Sequence, residues 1–133
     1  MNNPTPPTPD QVLAMMSQKM GETLPAWPKL LVDLAPDLLV GTAMNSAGSV
    51  GREASTIPAR YRSLIAVAAA LGRGQANCAR SQAYMARQAG ATGEELLDTV
   101  RIARHLAAAG ILDAATPLLA DLGAGTASGE KPR

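Results

Sequence analysis

The sequence predicts an all-α protein, a compact bundle of six or seven helices, on three observations. Apolar residues recur at three- and four-residue spacing in successive segments, the repeat of one face of a helix. Ala, Leu and Met carry the apolar content, Phe is absent, and Trp27, Tyr61 and Tyr84 are the only aromatics, so strong strand formers are sparse. Prolines and glycines fall between the periodic segments, where helices start and stop.

At 133 residues the chain suits one domain whose core needs neither disulfides nor metals. Residues 1–9 and 123–133 are rich in Pro, Gly and polar residues and read as flexible arms around a single domain at 10–122. Thr8-Pro9-Asp10 opens the first helix, with Val12, Leu13, Met16 and Met20 on one stripe and Gly21 as its stop. Leu24, Trp27, Leu30, Leu31 and Leu34 predict a second short helix with Pro25 and Pro28 in its first turn, and Pro36 ends it. A third helix runs from Asp37 and fades through Ser46, Gly48 and Gly51 into a loop that reaches Pro58.

Pro58 opens the fourth helix, whose stretch from Leu64 to Leu71 is apolar on every face and is expected to be buried all round. Gly72 and Gly74 close it. The fifth spans Asn77 to Gln88, with Asn77 as its cap and Gly90 as its left-handed stop. Thr92-Gly93-Glu94-Glu95 is a capping box that starts a sixth helix running to about Ala109, with Leu96, Val100, Ala103 and Ala107 inward and Glu94, Asp98, Arg101 and His105 outward. A seventh, from Leu112 to Leu122, is expected to break or kink at Pro117.

Charge excludes some function classes. A net charge of +1 exerts no global pull on nucleic acid or membrane, and no aromatics alternate with a basic run. No uninterrupted apolar run approaches the ~18 residues of a membrane span. The N-terminal residues lack the basic and apolar regions of a signal peptide, and a lone cysteine forms no internal disulfide, so the expected compartment is the reducing cytoplasm. One histidine and one cysteine make no metal constellation, and no cofactor motif is present.

The chemistry concentrates between Pro58 and Leu119, which holds Cys78, His105 and seven of the nine arginines. Gln75, Cys78 and Gln82 fall at i, i+3 and i+7 on one face of the fifth helix. Cys78 lies in its first turn, where unpaired N–H groups and the helix dipole favour a thiolate, and Arg73 and Arg80 are near in sequence. Two readings stand: a nucleophilic or redox thiol, or a small buried hydrophobe. His105 likewise reads either as a proton shuttle toward the fifth helix or as a solvated, ion-paired side chain, and Tyr84 as a surface or subunit contact.

From Leu24 to Leu119 the chain resembles the carboxymuconolactone decarboxylase and alkylhydroperoxidase D-like family. LPAWPKLLVDLAPDLLVG is similar to the lead-in helices, SLIAVAAALG to the central helix and AYMARQAGATGEELLDTVRIARHLAAAGILDAA to the closing pair, with the Ala89-to-Leu96 junction setting the register. Peroxidase-type members carry a glutamate on the central helix and C-x-x-C-x-x-x-H on the next. Counted back from Gly90 without a gap, the histidine position falls on Gln82, the second cysteine on Cys78, the first cysteine on Gln75 and the glutamate on Ser63. A register with Cys78 as first cysteine and Ser81 and Met85 after it breaks the spacing to that junction.

The resemblance implies candidate site residues Cys78, Gln82, Gln75 and Ser63, and the arginine excess near Cys78 in sequence adds Arg73 and Arg80 as candidate ligand contacts. The resemblance also implies a single-cysteine thiol redox protein with residual, peroxiredoxin-like peroxidase activity, acting on a small peroxide and reduced by an external thiol. The alternatives are a carboxylate-binding or decarboxylase-like protein and an inactive structural homologue. The family also implies a homo-trimer or hexamer.

Overall fold

The computed structural model describes residues 4–127 and 129. The described residues form six α-helices: α1 (Pro9–Met20), α2 (Trp27–Leu34), α3 (Pro36–Gly48), α4 (Ala59–Gly72), α5 (Ala76–Gln88) and α6 (Gly93–Ala127). A 3₁₀ turn, Gly21–Thr23, follows α1, and no strand occurs among the described residues. The all-α expectation holds. Of the two predicted arms, residues 1–3, 128 and 130–133 lie outside the described residues.

Local chemistry sets the helix ends. Thr8 caps α1 through a reciprocal box: the Gln11 backbone N–H donates to Thr8 Oγ1 at 3.2 Å, and Thr8 N–H to Gln11 Oε1 at 2.8 Å. The same device starts α6, where Thr92 and Glu95 exchange bonds of 2.9 and 3.1 Å. Glu95 also pairs with Arg60 of α4 at 3.8 Å. Gly90, at φ +93°, ends α5 as expected, and Ala91 N–H reaches back to Ala86 O at 2.9 Å. Gly74, at φ +69°, does the same for α4, with Gln75 N–H on Ala70 O at 2.9 Å. These two glycine turns fold α4, α5 and α6 back on one another.

The core is small and central. Val12 of α1 and Leu39 of α3 are fully buried, and Leu64, Val67 and Ala70 of α4, Ala79 and Ala86 of α5 and Ala103 of α6 are buried where α4 packs against α5 and α6. The Ser81 hydroxyl donates to Thr23 O at 2.9 Å, and the Tyr84 ring lies against Gly21, tying α5 to the 3₁₀ turn. Tyr84 is therefore an intramolecular contact rather than the surface residue its sequence position suggested.

Several element expectations are corrected. The first helical residue of α2 is Trp27, so Leu24 and Pro25 precede it, and Leu30 and Leu34 face outward. Pro36 does not merely end α2; it is the first residue of α3. The α5 cap is Gln75, with no side-chain capping bond, rather than Asn77. Helix α4 is buried along one stripe, not all round: α5 and α6 cover it on two sides, and Ile65 stays 56% exposed.

The largest difference is α6, one 35-residue helix where two were expected, with Pro117 inside it and residues 123–127 helical. A proline inside a helix loses one hydrogen bond but is survivable when flanked by Ala and Leu. The inward stripe is Leu96, Thr99 and Ala103 at i, i+3 and i+7, so Val100 and Ala107 turn outward. No residue from 104 to 127 is buried. By length and composition alone α6 is apolar enough to cross a membrane.

Candidate functional site

The glycine turn at Gly74 delivers the chain straight into α5, so Gln75 is its N-cap and Cys78 its third residue. Cys78 is exposed, which sets aside the reading of a buried hydrophobe. Its side chain opens on a cleft of about 500 Å³ between α4, the start of α5 and the loop from Ser49 to Ile57. Ile65, Ala66 and Ala69, the flank of α4 that no helix covers, form the apolar wall.

Gln75, Cys78, Gln82 and Arg73 all line this cleft, in keeping with the common face on α5. Ser63 and Arg80 do not. Ser63 is 7% exposed and lies in a neighbouring cavity, which Gln82 also lines. It shares a face of α4 with Ala66 and Ala70 of the cleft wall but is buried on the side of the neighbouring cavity. Arg80, two residues beyond Cys78, is rotated by ~200° about the helix axis and lines none of the cavities described here. Proximity in sequence misplaced it.

His105 is exposed on α6, in a shallow depression with Arg101 and Arg104, beside an Asp98–Arg101 pair of 2.6 Å, and does not reach the cleft. The solvated reading is the one the structure places there.

Arg62 was not singled out from the sequence, yet it shapes the site. Its Nε donates to Val50 O at 2.7 Å and its Nη1 to Ile57 O at 2.5 Å, so one guanidinium on α4 holds both ends of the loop that roofs the cleft. The loop is folded tightly on itself. Gly51 N–H donates to Ser46 O at 2.9 Å, and a Cβ at Gly51 would come within 3.2 Å of that oxygen. Nothing in the sequence distinguished Arg62 from the other arginines on helix faces.

Electrostatically the cleft is one-sided. Arg62 and Arg73 line it, and no Asp or Glu does. The arginines that pair with carboxylates, Arg60 and Arg101, are elsewhere. The guanidiniums of Arg62 and Arg73 therefore leave a positive potential in a partly apolar recess, which suits an anion with an apolar body. Neither a carboxylate nor an imidazole stands beside the thiol, since Ser63 and Gln82 occupy the positions where the resemblance would place them. Among the described residues no group of three or more His, Cys, Asp or Glu side chains is placed to hold a metal ion.

Comparison with curated proteins finds no match. Comparison with family models matches residues 39–121, from the end of the first turn of α3 to beyond Pro117 in α6, to the carboxymuconolactone decarboxylase family. The matched segment contains α4, α5 and the whole cleft, and it covers more than half of the chain. On that match, and with the all-α architecture the family shares, the chain belongs to the carboxymuconolactone decarboxylase family.

Proposed function

We propose that the protein is a single-cysteine, thiol-dependent oxidoreductase that reduces small peroxides. The observation that carries the reading is the exposed Cys78 thiol facing an acid-free cleft lined by two arginines. Cys78 Sγ attacks the terminal oxygen of a hydroperoxide. The O–O bond breaks, the alcohol leaves with a proton, and the thiol becomes a sulfenic acid. The chain has no second cysteine, so resolution needs an external thiol. One equivalent displaces the sulfenic oxygen as water and forms a mixed disulfide; a second releases Cys78 and leaves as the external disulfide. Peroxide and two thiols thus become alcohol, water and disulfide.

Ser63 and Gln82 are uncharged and cannot relay a proton as a glutamate and histidine would, so turnover is expected to be slow. Cys78→Ser should abolish peroxide consumption in a thiol-coupled assay. Unchanged turnover would rule the reading out.

The pairing of Arg62 and Arg73 supports a second reading, a carboxylate-binding or decarboxylase-like protein that uses the same cleft. It predicts thermal stabilisation by small carboxylates that survives Cys78→Ser and is lost in Arg73→Ala.

In either case we propose a homo-oligomer built on α6. Beyond Arg104 its Leu106, Ile111, Leu112, Leu118, Leu119 and Leu122 are all half or more exposed. The charges at Arg104, Asp113 and Asp121 leave charge-free runs far shorter than the ~20 residues of a bilayer span. Aspartates at membrane depth are unfavourable by about 3 kcal/mol each. A second copy of the chain satisfies that surface better than lipid does.

A further inference from the structure

Four of the six methionines, Met15, Met16, Met20 and Met85, line one cavity. It is a part-open cavity of about 330 Å³ between α1, α3, α4 and α5, adjoining the thiol cleft and sharing Val50, Arg62 and Gln82 with it. Exposed Met15 and Lys19 mark its mouth, and buried Ser63 its inner end. Gln82 Oε1 is buried with no hydrogen-bond partner. Buried carbonyls are almost always bonded, so this one stands out.

We propose that the methionine chamber is a binding site for a small amphipathic alcohol whose apolar body lies among the methionines and whose hydroxyl donates to Gln82 Oε1. An amide oxygen only accepts, so the ligand must supply the donor. The chamber lining has no acidic residue to hold a cation. Neither cation of the lining, Lys19 at the exposed mouth nor Arg62, whose Nε and Nη1 donate to Val50 O and Ile57 O, donates to Gln82 Oε1. At ~30 Å³ per water-sized unit, the volume suits roughly ten non-hydrogen atoms. Unbranched, polarisable methionines adapt to such ligands. The site shares Gln82 and Arg62 with the cleft, but the proposal requires no reaction at Cys78.

The test compares 1-hexanol with its isomer butyl ethyl ether, which cannot donate, on the full chain labelled at the methionine methyls for NMR. Hexanol should saturably shift the signals of Met15, Met16, Met20 and Met85 and leave Met44 unmoved. The ether should bind roughly fivefold more weakly, the usual worth of one hydrogen bond. Gln82→Met should erase that difference while both compounds still bind. Absence of a saturable shift at the four methionines, or equal affinity of alcohol and ether for the unmodified protein, would overturn the proposal. Peroxidase activity plays no part in either readout.

Discussion

Arg62 Nε lies 2.7 Å from Val50 O, and through this bond a helix of the bundle core holds the loop that closes the candidate cleft. The second bond, to Ile57 O, fixes the far end of the same loop. A planar guanidinium spans two carbonyls at once, which a single ammonium does not. The loop is thus anchored at both ends by one side chain.

Arg62→Met should therefore loosen the loop while leaving the helices in place. Hydrogen bonds from a charged donor contribute about 1.5–3 kcal/mol, and partial exposure places the expected loss near the low end, at about 2 kcal/mol. Hydrogen exchange should accelerate over residues 50–57 and not in α5. Arg62→Lys should recover less than half of the loss. Full recovery by lysine would show that charge rather than geometry is what matters.

The fold was largely legible in the sequence because its signals are local. Gly90, the Thr92–Glu95 box and Thr8 act through neighbours three to five residues away, and each behaves as its chemistry dictates. The face shared by Gln75, Cys78 and Gln82 follows from helical pitch alone. What was not legible depends on tertiary partners. Ile65 has the same apolar character as buried Val67, and only the absence of a helix on that side exposes it. Arg80 was placed by chain proximity, which ignores rotation about the helix, and Ser63 by motif counting, which does not report which of two adjoining cavities a side chain lines. The sixth helix was expected to end near Ala109 and the seventh to break at Pro117, yet the Ala- and Leu-rich sequence carries α6 through both.

The one-sided charge of the cleft should appear in the reactivity of Cys78. Iodoacetate and iodoacetamide differ mainly in charge, so their rate ratio, normalised to a free cysteine peptide, reports local potential. The ratio should exceed one by several-fold at low salt and fall toward one at ~1 M salt, where the Debye length shrinks to ~3 Å. Arg73→Ala should remove most of the excess. A normalised ratio below one would place a net negative field at the thiol.

Glu95 serves two structures, and two substitutions separate them. Glu95→Gln keeps an acceptor for Thr92 N–H but loses the pair with Arg60, a 3.8 Å contact between partly exposed groups whose expected worth is below 1 kcal/mol. Glu95→Ala also removes half of the capping box, for a further loss of about 1 kcal/mol. Chemical denaturation of the three proteins should give that order. A Gln variant as unstable as the Ala variant would assign the larger role to the ion pair.

Gly90 isolates a purely conformational contribution. At φ +93° a side chain is strained, but a Cβ there meets no atom within 4 Å. Gly90→Ala should thus destabilise by about 1 kcal/mol, from backbone strain without a clash. An effect near zero would mean that the turn shifts to accommodate alanine.

The exposed half of α6 separates folding from assembly. Leu39 is fully buried between α3 and its neighbours, so Leu39→Ala should lower stability by about 2–5 kcal/mol at any protein concentration. Leu118, 60% exposed in the single chain, should behave differently. If copies associate through α6, Leu118→Asp places a charge in that interface and should convert the oligomer to monomer in sedimentation, while the helical content of residues 9–103 is retained. The unmodified protein should then show a melting temperature that rises with concentration, and the variant should not. A chain that sediments as a monomer before the substitution would leave α6 without this role and remove the proposed assembly.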